Sequence, residues 1–385
     1  MIKIVTIIGA RPQFIKAAAI SRAIQTSFSK KITEILVHTG QHYDSNMSSI
    51  FFEEMGIPKE NYNLQVGSGS HAAQTASMIN GIEEILIKEN PACVVLYGDT
   101  NSTLAGAVAA AKLLIPIIHI EAGLRSFNKS MPEEINRIVC DQCATLLFSP
   151  TKTGIDNLID EGFNTWNEKS NLKPSADHPR IYHCGDVMYD NALYFSQIAE
   201  KKPGILKKYN LETGNYILAT IHRNNNTDSP ERINAIFNAL NKFSVENNIK
   251  IVLPMHPRTG KILESNLDTT LLSAIRSNTN FLLIPPASFF EMMVLEKNCK
   301  LICTDSGGVQ KEAFFFQKPC IILRSETEWI ELVECGTAIL VDADEIRILQ
   351  AFSDFKSKSG MTFPSLFGDG RAADFICQEI IDTFS

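Results

Sequence analysis

Short runs rich in β-branched residues alternate with longer amphipathic segments along almost the whole chain, and this alternation constrains the fold more than any other feature. The runs have the length of strands and are apolar throughout, as are strands buried on both faces of a parallel sheet. We therefore predict an α/β protein whose parallel sheets are covered by helices on both sides.

The predicted elements extend over both halves of the chain. The predicted strands are residues 2–8, 32–39, 92–97, 115–120, 145–149, 181–184, 216–220, 250–254, 281–284, 301–304 and 320–323. The predicted helices are residues 12–26, 71–89, 100–112, 131–143, 151–161, 230–245, 289–297, 309–316 and 372–383, and a further helix begins at Val187.

The length of 385 residues and one irregular segment indicate two domains. Residues 162–180 are rich in Asn, Lys and Pro, which predicts a surface loop near the domain boundary. The predicted domains are residues 1–180, completed by a C-terminal helix at about 370–385, and residues 181–369. Both are expected to be Rossmann-like and to face each other across a cleft. Ligands of such sheets bind beyond the carboxyl ends of the strands, so the functional loops should follow the strands.

The composition excludes several classes of partner. A net charge of −7 and a pI near 5.7 argue against nucleic acid and membrane surfaces, because both are polyanions. The nine cysteines follow no disulfide pattern, and Cys140 and Cys143 lack a second pair that would complete a zinc site. We therefore expect reduced thiols, no bound metal and a cytoplasmic location.

The loop after the first strand has no GxGxxG pattern, so the sequence does not predict a nicotinamide cofactor. Gly9 permits a tight turn, and Pro12 suits the first turn of a helix. Arg11 lies at the start of that helix, where an anion is favoured, and Lys16 follows one turn later. We predict that Arg11 and Lys16 contact a phosphate; the alternative is a solvated pair of cations.

Three carboxylates follow predicted strands of the first domain. Asp99 comes directly after residues 92–97, and Glu121 directly after residues 115–120. Glu133 begins a helix and is four residues from Arg137, so the two share a helix face. Asp99 can instead be a helix cap, and Glu133 an ordinary residue of a first helical turn. Acids that converge in one cleft are typical of proton-transfer chemistry.

The second half has a different character. His222 follows a strand, where it can cap a helix or contact a phosphate, and His256 is placed similarly. The turn Ser306-Gly307-Gly308 exposes backbone N–H groups at a helix start, which favours phosphate binding. Glu312, one turn into that helix, is placed to accept hydrogen bonds from a ribose diol. The alternative is a plain glycine-rich turn with an exposed glutamate.

Nine motifs, in order and over nearly the whole chain, resemble those of the non-hydrolysing UDP-N-acetylglucosamine 2-epimerases. They are GARPQFIK (9–16), HTGQHYD (38–44), YGDTNSTLAG (97–106), EAGLRS (121–126), MPEEINR (131–137), ATIHR (219–223), HPRT (256–259), TDSGGVQKEA (304–313) and FGDGRA (367–372).

The resemblance implies the GT-B fold, a homodimer and a role in polysaccharide biosynthesis. It also implies a cofactor-free isomerase that converts UDP-GlcNAc to UDP-ManNAc by eliminating and re-adding UDP through a glycal. The residues that it assigns to catalysis are Asp99, Glu121, Glu133 and His222. Those assigned to the substrate UDP-N-acetyl-hexosamine are Arg11, Lys16, Arg137, His222, Ser306, Gly307, Gly308 and, at the ribose, Glu312.

Several positions depart from the pattern of the UDP-N-acetylglucosamine enzymes. Gln13 replaces a common Glu, Met292 a common Phe, and Thr327-Glu328-Trp329 a common Thr-Glu-Arg. The stretch 126–134 is also shorter. These features resemble relatives that act on UDP-2,3-diacetamido-2,3-dideoxyglucuronate, which leaves the substrate open. A GT-B glycosyltransferase, a nucleotide-sugar sensor and a hydrolysing epimerase are the alternative functions.

Overall fold

The computed structural model describes residues 1–41, 56–163, 173–200, 204–255, 257–358 and 360–385, with all of their side chains except those of residues 11, 257, 258 and 261. The chain divides into two compact units. The first comprises Met1–Asn191 and Ser365–Ser385, and the second comprises Ala192–Pro364. Among the helices of the described ranges, none is both long and apolar enough to cross a lipid bilayer.

The first unit contains a seven-stranded sheet. Its strands are β1 (Ile2–Ile8), β2 (Ile32–His38), β3 (Tyr62–Asn63), β4 (Cys93–Tyr97), β5 (Ile117–Ile120), β6 (Leu146–Ser149) and β7 (Arg180–His183). Their order is β3-β2-β1-β4-β5-β6-β7, and each neighbouring pair is parallel. Its helices are α1 (Arg11–Ala23), extended by a π-helical turn (Ile24–Phe28), α2 (His71–Glu89), α3 (Asn101–Lys112), α4 (Pro132–Cys143) and α5 (Lys152–Asp160). Helix α6 (Val187–Ala199) contains the boundary between the units.

The second unit contains a six-stranded parallel sheet. Its strands are β8 (Tyr216–Thr220), β9 (Lys250–Pro254), β10 (Phe281–Ile284), β11 (Leu301–Thr304), β12 (Cys320–Ile322) and β13 (Ala338–Leu340). Their order is β10-β9-β8-β11-β12-β13. Its helices are α7 (Ile205–Lys208), α8 (Asn224–Thr227), α9 (Pro230–Asn247), α10 (Pro257–Asn266), α11 (Thr269–Ser277), α12 (Phe289–Asn298), α13 (Gly307–Phe315), α14 (Ile330–Glu334) and α15 (Glu345–Ser357). The last helix of the chain, α16 (Ala372–Phe384), belongs to the first unit.

The central strands of both sheets are buried because helices cover both of their faces. Every residue of β4, β6 and β11 is buried. Helix α3 packs closely on its sheet because it is rich in small residues: a Cβ added at Gly106 would come within 2.5 Å of Leu96 Cδ2. In the second unit, α9 and α15 pack through stacked rings of Phe243 and Phe352, with centroids 4.1 Å apart.

These sheets confirm the predicted fold class of two Rossmann-like parallel sheets. Five predicted strands have the observed bounds, namely residues 2–8, 216–220, 250–254, 281–284 and 301–304. The sequence did not predict β3 and β13, which are two and three residues long and lie at sheet edges. It also did not predict α7, α8, α10, α11, α14 and α15. Helix α10 carries a Pro and a Gly that obscure its pattern.

The first unit extends further than the predicted limit at residue 180. Strand β7 pairs with β6, and so continues the first sheet. Asn191 donates from Nδ2 to the carbonyl oxygen of Ile15 in α1, which ties the start of α6 to the same unit. The compact unit therefore ends at Asn191, and the C-terminal segment rejoins it from Ser365.

Gln13 joins the ends of β1 and β4. Its Oε1 accepts hydrogen bonds from the backbone N–H groups of Gly9 (2.8 Å) and Ala10 (3.1 Å). Its Nε2 donates to the carbonyl oxygen of Tyr97 (3.1 Å) and to Thr103 Oγ1 (3.0 Å). A glutamate at this position would lack the donor unless it were protonated, so the amide suits this junction at any ordinary pH.

Candidate active site

Asp99 and Glu121 follow β4 and β5, which are neighbours in the first sheet. Tyr97 pairs with Ile120 at the carboxyl ends of these strands, so the two loops begin side by side. Lys16 Nζ lies 2.5 Å from Glu121 Oε1, and Arg137 contacts Asp99 through Nη2 and Oδ2. The structure therefore brings together four of the predicted site residues, two acids and two cations, at one edge of one sheet.

Two acids this close influence each other's protonation. Burial raises the pKa of the Asp99 carboxyl above its usual range, and the nearby Glu121 raises it further, while Arg137 and Lys16 oppose the rise. A carboxyl group with a raised pKa exchanges protons more readily near neutral pH than an ordinary aspartate does. The site thus has the electrostatic character of a general acid–base centre.

The backbone around these acids is held in unusual conformations. Glu121 has a φ of +72°, in the left-handed region. The Phe148 carbonyl oxygen accepts hydrogen bonds from the N–H groups of both Glu121 and Ala122, at 3.0 Å each. Gly98 has a φ of +58°, and a Cβ there would lie only 3.0 Å from Lys16 Nζ. The absence of a side chain at Gly98 therefore leaves room for the lysine beside Glu121.

Glu133 differs from these acids in its exposure. It is exposed in the first turn of α4, whereas its neighbour Glu134 is buried. Glu134 Oε2 lies 3.0 Å from Arg137 Nη1, so the acid that shares Arg137 with Asp99 is Glu134. Glu134 also accepts hydrogen bonds from the N–H groups of Ser126 and Phe127, which fixes the preceding loop. The catalytic role of Glu133 stays a prediction.

In the second unit, a buried carboxylate organises the loop that carries His222. Asp305 follows β11 and is fully buried. It accepts hydrogen bonds from the N–H groups of His222 and Arg223, at 3.1 Å each, and lies 3.2 Å from His222 Nδ1. Burial alone would raise the pKa of Asp305, but the contacts with His222, Arg223 and Asn226 hold it below the usual range. Asp305 is therefore ionised, and it fixes a histidine whose side chain is 41% exposed.

The turn Ser306-Gly307-Gly308 forms the start of α13. Ser306 is the N-cap residue, but its side chain makes no capping hydrogen bond. Gly307 lies against a bidentate ion pair: Arg324 and Glu328 meet at 2.7 and 2.9 Å, and a Cβ on Gly307 would be 3.4 Å from Glu328 Oε2. The first N–H groups of the helix and the Ser306 hydroxyl are thus available to an anion.

Glu312, the predicted ribose-binding acid, has a carboxyl neighbour. The side chain of Glu296, on α12, is 1% exposed and hydrogen-bonds to Glu312. Burial raises the pKa of Glu296 well above the ordinary glutamate value, and Glu312 raises it further. A hydrogen bond between two carboxyl groups requires a proton, so Glu296 is the protonated partner and donates to Glu312.

We expect Glu296→Gln to change how stability depends on pH. Above the ordinary glutamate pKa, the unfolded chain ionises Glu296 while the folded protein keeps the proton. Rising pH therefore favours unfolding, by up to about 1.4 kcal/mol per pH unit, until the raised folded pKa is reached. The glutamine variant lacks this dependence. Urea unfolding at pH 5, 6, 7 and 8 should show the wild type losing stability relative to the variant.

The matched control for this measurement is Glu264→Gln, because the Glu264 side chain is 72% exposed. Its difference from the wild type should not change with pH. A constant difference for Glu296→Gln as well would contradict a shared proton at the Glu296–Glu312 pair.

Two predicted contacts lie outside the described part of the chain. The Arg11 side chain and the residue His256 are not described, so their contact with phosphate stays a prediction. Sequence reasoning missed three residues that contact predicted site residues: Glu134 in the first unit, and Asp305 and Glu296 in the second. Asp305 had a signal, since it directly follows a strand in the motif that also contains Ser306. Glu296 had no such signal, because it lies within a helix of mainly apolar residues and follows no strand.

The comparisons with known proteins agree with one another. The sequence pattern of the UDP-N-acetylglucosamine 2-epimerase family matches residues 25–381. The chain is 49% identical to a UDP-N-acetylglucosamine 2-epimerase homolog of Methanococcus maripaludis, over 96% of this chain and 97% of that one. It is 47% identical to the UDP-2,3-diacetamido-2,3-dideoxy-D-glucuronate 2-epimerase of Pseudomonas aeruginosa, over 98% of each chain.

A solved structure matches as well. The UDP-GlcNAc 2-epimerase of Methanocaldococcus jannaschii, in complex with UDP-GlcNAc and UDP, superposes with a TM-score of 0.81 at 38% identity. The match covers 98% of this chain and 99% of that one. This chain therefore belongs to the UDP-N-acetylglucosamine 2-epimerase family, whose members are carbohydrate isomerases of GT-B fold.

Proposed function

We propose that the protein inverts carbon 2 of a UDP-linked 2-acetamido sugar by eliminating UDP and adding it back. The observation that supports this most directly is the cluster of Asp99, Glu121, Lys16 and Arg137 at the end of β4 and β5. Two half-buried acids with cationic partners can move a proton without a metal or a redox cofactor.

In the first half of the proposed reaction, the C2 proton passes to a carboxylate. The bond between C1 and the UDP oxygen breaks at the same time, and the electron pair of that bond leaves with UDP. A double bond forms between C1 and C2, which gives a neutral glycal. In the second half, C2 receives a proton on the opposite ring face, and the UDP oxygen bonds to C1 again. The C2 proton has no adjacent carbonyl to acidify it, so departure of UDP supplies the driving force.

The second unit supplies the groups that suit the departing diphosphate. The N–H groups of Gly307 and Gly308, the Ser306 hydroxyl and His222 are donors, and donors aimed at developing negative charge lower a barrier of this kind. Glu312 accepts hydrogen bonds from the ribose diol. Arg11 and Lys16 are the phosphate contacts that the sequence predicts in the first unit.

Two sugars of this class are candidates. The identity of 47% with the Pseudomonas aeruginosa diacetamido-glucuronate enzyme exceeds the 38% with the Methanocaldococcus jannaschii UDP-GlcNAc enzyme, and the Methanococcus maripaludis relative, at 49%, is named only as a homolog of the UDP-N-acetylglucosamine enzymes. Trp329, whose ring lies 4.2 Å beneath Lys311 Nζ, is also one of the positions that resemble the former group. We therefore propose UDP-2,3-diacetamido-2,3-dideoxyglucuronate as the preferred substrate and UDP-N-acetylglucosamine as the second candidate.

Proton NMR in deuterated water tests the proposal with each sugar in turn. We expect a 2-epimer to appear, with deuterium at C2 and without an added acceptor. Protium retained at C2 would exclude the elimination route. Free sugar as the main product would identify a hydrolysing enzyme, and a requirement for an acceptor would identify a glycosyltransferase. No conversion of either sugar contradicts the proposed function.

We also propose that the protein acts as a homodimer in the cytoplasm. The support is its family membership and its nine free cysteines. Light scattering of the purified protein at micromolar concentration checks the first point, and a mass of about one chain would contradict it.

A further inference from the structure

A charged pair lies buried behind the two loops that carry Asp99 and Glu121. His119, in β5, and Asp141, in α4, are both 0% exposed. His119 Nδ1 lies 2.6 Å from Asp141 Oδ1, and His119 Nε2 lies 2.8 Å from the carbonyl oxygen of Gly98. The pair is too deeply buried to contact a substrate, so any effect on the reaction must pass through the residues that it holds.

Both ring nitrogens of His119 face acceptors, a carboxylate on one side and a carbonyl on the other. A neutral imidazole has only one N–H group, so both hydrogen bonds can form only if the ring is an imidazolium. Burial alone would lower the pKa of His119, but its contacts with Cys140 and Asp141 raise it well above the ordinary value. Asp141 also pairs with Arg125 at 2.8 Å, and Arg125 pairs with Glu161, so the buried charges balance.

The pair is attached to both acid-bearing loops. His119 holds the carbonyl of Gly98, the residue before Asp99. Asp141 Oδ2 accepts a hydrogen bond from the N–H of Gly123 at 3.2 Å, two residues after Glu121. The N–H of Gly98 in turn donates to the Ile120 carbonyl at 3.0 Å. The two loops are thus connected to each other through one ion pair.

We infer that His119 and Asp141 are positioning residues, which set the distance and orientation between Asp99 and Glu121 for the proton transfer. The inference rests on the proposed function, because it assigns both acids to that reaction. Beyond that function, it identifies a buried imidazolium as the group that fixes the two loops relative to each other.

Asp141→Ala tests the inference. Alanine removes the carboxylate that holds the His119 ring and accepts from the Gly123 N–H, so the link between the two loops is broken. We expect kcat to fall about tenfold or more, since small misplacements of catalytic groups have large effects, while KM changes less than about threefold. A kcat within twofold of the wild type in a folded variant would overturn the inference.

Glu161→Ala is the matched control. Glu161 is at the outer end of the same ion-pair network, with a side chain 31% exposed, and it touches neither loop. We expect it to lower the melting temperature at most modestly and to leave kcat within twofold. Equal losses of kcat in both variants would mean that the network only supports folding, which contradicts a positioning role.

A measurement on the wild-type protein does not depend on whether Asp141→Ala folds. With ¹⁵N-labelled histidine, NMR should show one ring among the eight histidines with two N–H groups, persisting at pH 8. If every ring at pH 8 is neutral with a single N–H group, the inference is wrong. This result is separable from the proposed function: a failure of epimerisation leaves the ring's protonation state measurable.

Discussion

Replacing Glu121 by glutamine is expected to lower kcat by about 10²-fold or more, the usual contribution of a general acid–base group. Glutamine keeps the size and the oxygen that contacts Lys16, so the fold and the substrate contacts should persist. It cannot accept or release a proton at carbon 2. KM should therefore change little, which separates a chemical role from a binding role.

NMR turnover of the preferred UDP-sugar measures this effect, and the rate of deuterium incorporation at C2 should fall in parallel. Glu84→Gln, at an exposed position of α2, is the control for loss of one carboxylate elsewhere. The same amide substitution at Asp99 and Glu133 then shows which acids share the work. A Glu121→Gln enzyme with a kcat within fivefold of the wild type would remove Glu121 from the mechanism.

Asp305→Ala is expected to destabilise the second unit by about 3 kcal/mol or more, because each buried donor left without its acceptor costs about 1–3 kcal/mol. The substitution leaves the N–H groups of His222 and Arg223 and the amide of Asn226 without their acceptor. The loop that presents His222 should lose its fixed conformation, so UDP affinity should fall as well.

Urea unfolding and UDP titration by calorimetry measure the two effects. Asp305→Asn is the graded comparison, because it keeps one acceptor oxygen of nearly the same shape and should lose about half as much stability. An alanine variant that loses less than about 1 kcal/mol, the value of one ordinary hydrogen bond, would show that the Asp305 contacts contribute little.

The sequence predicted the strands of four or more residues better than the two short strands β3 and β13. Central strands such as β8 and β11 are apolar on both faces, and this pattern is unambiguous over four or five residues. The edge strand β13 has only three residues and a partner on one side, so its pattern is too short to distinguish from a loop. Tertiary pairing, and not local preference, defines such a strand.

The candidate site was predictable to the extent that it depends on strand ends. Asp99 and Glu121 were identified because residues after parallel strands meet at one edge of a sheet. The choice between Glu133 and Glu134 as the partner of Arg137 was not predictable, since spacings of three and four residues both place side chains on one helix face. The protonation of Glu296 was also not predictable from the sequence, because it depends on how two helices pack against each other.

The left-handed backbone at Glu121 has a consequence for engineering. A residue other than glycine in that conformation sacrifices about 1–2 kcal/mol, so a design procedure that rewards thermal robustness would choose glycine or asparagine there. Such a variant would be more stable but catalytically inactive. Attempts to raise the thermal stability of this protein should therefore leave this position unchanged and substitute residues on helix surfaces far from it.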